Sequence, residues 1–114
     1  MANIGINMGK GFYMTFANGW TVSVQFGPSN YCNNRTFEYA SLADMRKAGE
    51  QGCDNAEVAA MKDGIWYRGK GWTDSVKGWL TPDEIAAFIA EVAALPAYLE
   101  PAELAGDYSD ELTE

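Results

Sequence analysis

The sequence predicts an α+β protein: an antiparallel sheet of four to five strands covered by one C-terminal helix. Three observations carry this. Large apolar residues alternate with polar ones on both sides of Asn18-Gly19. Asp63-Gly64 separates two further strand-like runs, and a helix start is written out at Thr81-Pro82-Asp83-Glu84. Strands followed by a helix with its own apolar stripe form a sheet with the helix on one face.

The first hairpin spans residues 11–26. Phe12, Met14 and Phe16 alternate with Tyr13 and Thr15, and Trp20, Val22, Val24 and Phe26 with Thr21, Ser23 and Gln25. A two-residue Asn18-Gly19 loop would oppose Phe16 with Thr21 and mix the faces. A three-residue Ala17-Asn18-Gly19 loop opposes Phe16 with Trp20, Met14 with Val22 and Phe12 with Val24, and puts Gly19 at the left-handed position such loops need. The hydrophobic face sets the register, so the second pairing is expected. The polar run Gly27–Arg35 follows. Thr36–Ala40 reads as a short strand, and Ser41 caps a brief helical turn through Ala48. A second hairpin covers 56–68 around Asp63-Gly64, with its loop length undecided by patterning. A last strand lies near 75–80.

The helix is expected over 82–95. Thr81 fits the cap, Pro82 the first helical position, and Glu84 closes a capping box. Ile85, Phe88, Ile89, Val92 and Leu95 share one face, which would cover the sheet face of Phe12, Met14, Phe16, Trp20, Val22 and Val24. Lys70-Gly71-Trp72 and Lys77-Gly78-Trp79 echo each other but are too short for a structural repeat.

At 114 residues the chain is long enough for one domain with a real core, placed at 1–96. Its formal charge of −8 is concentrated in 97–114, which holds six acids and no base, against ten acids and eight bases before it. That segment reads as an acidic tail, partly ordered at most. The near-neutral body lacks the basic surface that duplex DNA or RNA requires. No apolar run approaches the roughly 20 residues of a membrane span, and the first residues lack a signal peptide's basic start and apolar centre. A soluble cytoplasmic protein is expected.

Most catalysis is disfavoured. The chain has no histidine, which removes the commonest neutral-pH base and metal ligand together. Cys32 and Cys53 read as free thiols, and Cys32 has no base to activate it. No spacing suggests a zinc or calcium site, and no cofactor is expected. Gly9-Lys10-Gly11 and Gly69-Lys70-Gly71 do not open helices, so neither is a phosphate loop. A carboxylate hydrolase built from Asp44, Glu57 or Asp74 is the remaining enzymatic alternative, though nothing singles those acids out.

The binding candidates are Tyr31, Asn33, Asn34 and Arg35 in the polar loop, with Trp66 and Arg68 at the end of the second hairpin and Lys70 just after it. Aromatic faces stack planar ligands, asparagines read donor and acceptor edges, and arginines pair with phosphate or carboxylate. The same residue types also have structural uses, because asparagines suit turns and tryptophans fill cores.

Asn18–Gly27, Ser29–Arg35 and Gly78–Glu84 together resemble small uncharacterised accessory proteins of tailed bacteriophages and prophages. The resemblance implies no catalytic residue. It implies a setting in which small proteins antagonise the host, either by sequestering a nucleotide immune signal or by binding a host protein. The function expected is therefore a non-catalytic, oligomeric counter-defence protein holding a small anionic or nucleotide-like ligand. The alternatives are an inhibitor of a host protein, through acidic-tail mimicry or a sheet edge, and a small virion or assembly component.

Overall fold

Apolar register builds the sheet. The computed structural model describes residues 2–7, 10–28, 30–35, 41, 43, 47, 52–68, 72 and 75–98. Strands β1 (Asn3–Ile6), β2 (Gly11–Thr15), β3 (Thr21–Gln25) and β4 (Ala56–Lys62) are neighbours in that order, all antiparallel. The far side of β4 is shared by two short strands: β5 (Ile65–Trp66) pairs its C-terminal end and β6 (Val76–Leu80) its N-terminal end. Helix α1 (Pro82–Ala93) completes the α+β fold.

The expected three-residue hairpin loop is present. Met14 pairs with Val22 and Phe12 with Val24, while the Phe16 amide donates to the Trp20 carbonyl. Gly19 has φ of 90°, the left-handed geometry that closes this loop without a Cβ penalty. The second hairpin resolves to two residues, with Lys62 opposite Ile65 and both Asp63 and Gly64 at positive φ. Such a turn matches the twist of the strands it joins. This arm is shorter than the expected run to residue 68, because Tyr67 turns into the core after one further bond from its amide to Ala60. β1 is an addition to the expected strands; four residues with two apolar side chains are too short to read as periodic. The strand expected at 36–40 lies outside the described residues. Of the turn expected at Ser41–Ala48, the described Ala43 and Lys47 are helical.

The two sheet faces differ completely. Trp20, Val22, Val24, Val58, Ala60 and Leu80 sit with Phe88 and Val92 of α1 in one core. Fully burying Val22 or Val58 contributes about 1.5–3 kcal/mol each. An aromatic group closes it: Trp72 stacks on Phe88 at 5.3 Å between centroids, and Tyr67 meets Trp20 edge-on at 5.9 Å. The Tyr67 hydroxyl donates to Glu91, and burial pushes this phenol's pKa upward, with the Glu91 contact adding to it. The helix covers β3, β4 and β6, and a groove of roughly 360 Å³ lined by Phe12, Phe26, Ile85 and Ile89 runs beside it.

Both helix ends are tied down. At the start, Glu84 donates its amide to the Thr81 hydroxyl and its carboxylate accepts from the Thr81 amide, the expected capping box. At the end, the Asn18 side-chain amide donates to the carbonyls of Val92 and Leu95 at 3.0 and 2.9 Å. The Trp20 indole donates to Pro96 at 3.2 Å. The Ala94 and Leu95 amides already serve the Ala90, Glu91 and Val92 carbonyls, and the hairpin turn adds donors to the end of the helix and to the residues just beyond it.

Asn18→Ala is expected to destabilise the fold by about 1–3 kcal/mol in urea unfolding, since it takes the side-chain donor from the part-buried Leu95 carbonyl and leaves Val92 only its bond from the Leu95 amide. Asn18→Asp is expected to cost at least as much, because a carboxylate would face those carbonyls at the negative end of the helix dipole. A change below about 0.5 kcal/mol in both variants would contradict the clamp.

Candidate functional site

The face of the sheet opposite the helix is built in cross-strand rows. Tyr13, Ser23, Ala59 and Val76 are successive partners across four strands. Beside them lies the row Thr15, Thr21, Met61 and Trp66, and on the other side Gln25 pairs with Glu57. Small side chains at Ser23 and Ala59 between larger neighbours leave a trough. It is a cleft of roughly 300 Å³, at the small end of the range for ligand sites.

Its polar groups are directed. Ser23 Oγ accepts from Asn7 Nδ2 at 3.2 Å and Gln25 Nε2 at 3.1 Å, which leaves its hydroxyl proton to donate. Glu57 is the one charged residue lining the cleft among the described residues. Glu57 to Met61 spans four residues of β4, or about 13 Å. The cleft therefore runs from a carboxylate end to an aromatic end at Trp66, which is 45% exposed.

At the carboxylate end stands the polar loop. The Tyr31 amide donates to Glu57 Oε1 at 2.8 Å, and the Asn33 amide to Asn55 Oδ1 at 2.8 Å. Buried Asn30 accepts from the Gly27 amide and donates to Gln25 Oε1. Asn34 donates to the carbonyls of Phe26 and Gly52. Gly78 lets the loop lie on β6, because a Cβ there would collide with Tyr31. The Trp79 amide then donates to the Tyr31 carbonyl at 2.8 Å.

This contact sits at a β-bulge, where Gly78 and Trp79 oppose Glu57 between the pairs Ala56–Leu80 and Val58–Lys77. Bulges re-aim side chains. Trp79 has φ of 57°, a conformation costing a bulky residue on the order of 1–3 kcal/mol, and its ring is 52% exposed. It meets Tyr31 at 5.6 Å between centroids, and the Arg35 guanidinium carbon lies 4.5 Å over the other ring. The result is an exposed platform of two aromatic rings and one cation.

The seven sequence candidates thus divide. Tyr31 and Arg35 come together in the platform, and Trp66 stands at the far end of the cleft. Asn33 and Asn34 belong to the anchored loop, the side chain of Asn34 holding two backbone carbonyls. Arg68 is half-buried and is not among the described cleft-lining residues. Lys70 lies outside the described residues. Trp79, Glu57 and Ser23 are gained; the signal for Trp79 was its echo of Lys70-Gly71-Trp72, in which the other tryptophan is core.

Beneath the loop, Cys32 is buried and Cys53 lies beside it, both as free thiols. Burial, reinforced by Cys53 and Glu57, pushes Cys32 from 9.0 to about 11. Among the described residues no three Cys, Asp or Glu side chains gather as a metal site, and no helix is long and apolar enough to cross a membrane. Compared with known proteins, the chain matches no family model, no curated protein and no solved structure.

Because the folded state holds the Cys32 proton more tightly than the unfolded state, stability is full below pH 9.0 and falls as pH rises toward 11. Urea midpoints across this interval are expected to drop, and to drop less in Cys32→Ala. Gly78→Val is expected to lift the loop and expose Cys32 to a thiol reagent while the far-UV spectrum is retained. An unreactive Cys32 in that variant would contradict the packing.

Proposed function

We propose that this chain is a non-catalytic binding protein of the phage counter-defence type, acting in the host cytoplasm, and that it sequesters a small nucleotide-like ligand on its open sheet face. One observation carries the reading: a cleft on the sheet runs from exposed Trp66 to Glu57, whose carboxylate accepts from the amide of Tyr31, and Tyr31 belongs to an exposed platform with Trp79 and Arg35. A heterocycle stacks on Trp66, and its hydrogen-bonding edge or hydroxyls meet the Ser23 donor and the Glu57 acceptor. The anionic end extends to Arg35, since the one charged residue lining the cleft among the described residues is itself acidic. The chemistry is recognition alone, with no cofactor, duplex nucleic acid or membrane involved.

A second reading draws on the same platform. Trp, Tyr and Arg are the residues that dominate protein–protein hot spots, so Tyr31, Arg35 and Trp79 also suit the surface of a host protein. Under this reading Trp79→Ala abolishes capture of one host protein while Trp66→Ala does not.

Calorimetry with cyclic dinucleotides, cyclic trinucleotides and cyclic ADP-ribose isomers tests the first reading. Heat is expected with at least one of them, and Trp66→Ala is expected to weaken that binding about tenfold or more, the loss of one stacked base. Absence of heat with every ligand, in a folded sample, would overturn it.

A further inference from the structure

The outer side of β1 carries a pattern of its own. The Asn7 amide donates inward to the Gly11 carbonyl at 2.9 Å. Bonded pairs alternate along an antiparallel ladder, so Gly5 and Asn3 also turn their backbone groups toward β2. Ile4 and Ile6 turn theirs outward. Among the described residues no strand pairs with that side. The same two residues are 68% and 79% exposed.

Sheet edges are ordinarily protected from pairing by lysine, proline, bulges or a cover. Asn3–Ile6 contains no charge and no proline, and no charged residue precedes Lys10. In a chain of net charge −8 this is a neutral stretch along which two copies approach without like-charge repulsion. Its sequence, Asn3-Ile4-Gly5-Ile6-Asn7, reads the same in both directions.

We propose that β1 is a dimerisation edge that pairs antiparallel with β1 of a second copy, about a two-fold axis through Gly5. The register follows from two requirements. Opposed residues must share a face, and the outward groups of Ile4 and Ile6 must bond. Centring on Gly5 opposes Ile4 to Ile6 of the partner subunit, and Ile6 to Ile4 of the partner subunit. Both are bonded pairs, giving four main-chain hydrogen bonds. The palindrome makes the contact self-complementary, as a two-fold interface must be.

The side chains agree with it. The Tyr13 ring lies over Gly5, where a Cβ would meet it, so the two Tyr13 rings face each other across the axis. On the helix side, Ile4 and Ile6 extend the strip begun by half-buried Phe12 and Met14. The axis stands perpendicular to the sheet, so both clefts open on one face of a continuous sheet. So short an edge buries less than the about 1,200 Å² of a standard interface, so the dimer dissociates on dilution. The proposal stands apart from the ligand reading and survives its failure.

Sedimentation velocity of the full chain, diluted from millimolar to micromolar, is the test. A concentration-dependent monomer–dimer equilibrium is expected, weakened at least tenfold in an Ile4→Lys, Ile6→Lys double variant with unchanged melting. Ile6→Pro removes an outward N–H while sparing the bonds to β2 and is expected to have the same effect. At high concentration the Ile4 and Ile6 amides are expected to be protected from exchange, losing that protection on dilution, while Gly5 stays protected throughout. A monomer at every concentration would overturn the proposal. So would a dimer that resists these variants, or one whose Ile4 and Ile6 amides exchange freely.

Discussion

The contact on which the rest depends is made by the side-chain amide of Asn18. The tip of the first hairpin holds the last carbonyls of the helix, and the Trp20 indole beside it holds Pro96. A helix end leaves several carbonyls to be satisfied; the Ala94 and Leu95 amides serve some of them locally, and a turn remote in sequence adds donors at Val92 and Leu95. The apolar stripe sets the face of the sheet that the helix covers, and this contact ties the helix end to the hairpin tip. With the capping box at Thr81 and Glu84 anchoring the other end, the helix has little freedom to slide.

Commitment of the helix to one face leaves the other without a helical cover among the described residues, and its side chains suit that state. Thr15 and Thr21 hydrogen bond to each other at 2.7 Å across the strands. Gln25 Nε2 donates to Ser23 Oγ, and the alternation that buries Val22 and Val24 necessarily turns these polar neighbours outward. The trough is a consequence of side-chain size along one cross-strand row, so it belongs to the sheet itself rather than to a mobile segment. The loop that ends it is held by backbone and side-chain bonds to β3, β4 and β6. The strained Trp79 backbone persists because those bonds over-determine it.

Much of this was legible in the sequence. Pairing of Phe12 with Val24 and Met14 with Val22 followed from the apolar face alone, and the helix start followed from four residues. What stayed hidden was tertiary. Asn18 reads as a turn residue because its local geometry demands one, and nothing near it signals a helix end more than 70 positions away. The two Lys-Gly-Trp echoes look alike, yet Trp72 packs on Phe88 while Trp79 is turned outward by a bulge that exists only through pairing with β4. Asn34 reads as a recognition residue and acts as a staple, since the carbonyls it holds belong to Phe26, just after β3, and Gly52, shortly before β4. The polar alternation of the open face was visible, but which small residues would line up across strands was not.

The central claim is that the helix seals one face of the sheet and that the described residues of the other face, Trp66 and Trp79 among them, look toward solvent. The four tryptophans report on it directly, two on each side of that division. Oxidative footprinting of the folded protein, read residue by residue by mass spectrometry, is predicted to modify Trp66 and Trp79 rapidly and to spare Trp20 and Trp72 until unfolding. Protection of Trp66 together with Trp79, or early modification of Trp20, would mean that the faces are assigned the wrong way round and would contradict the account.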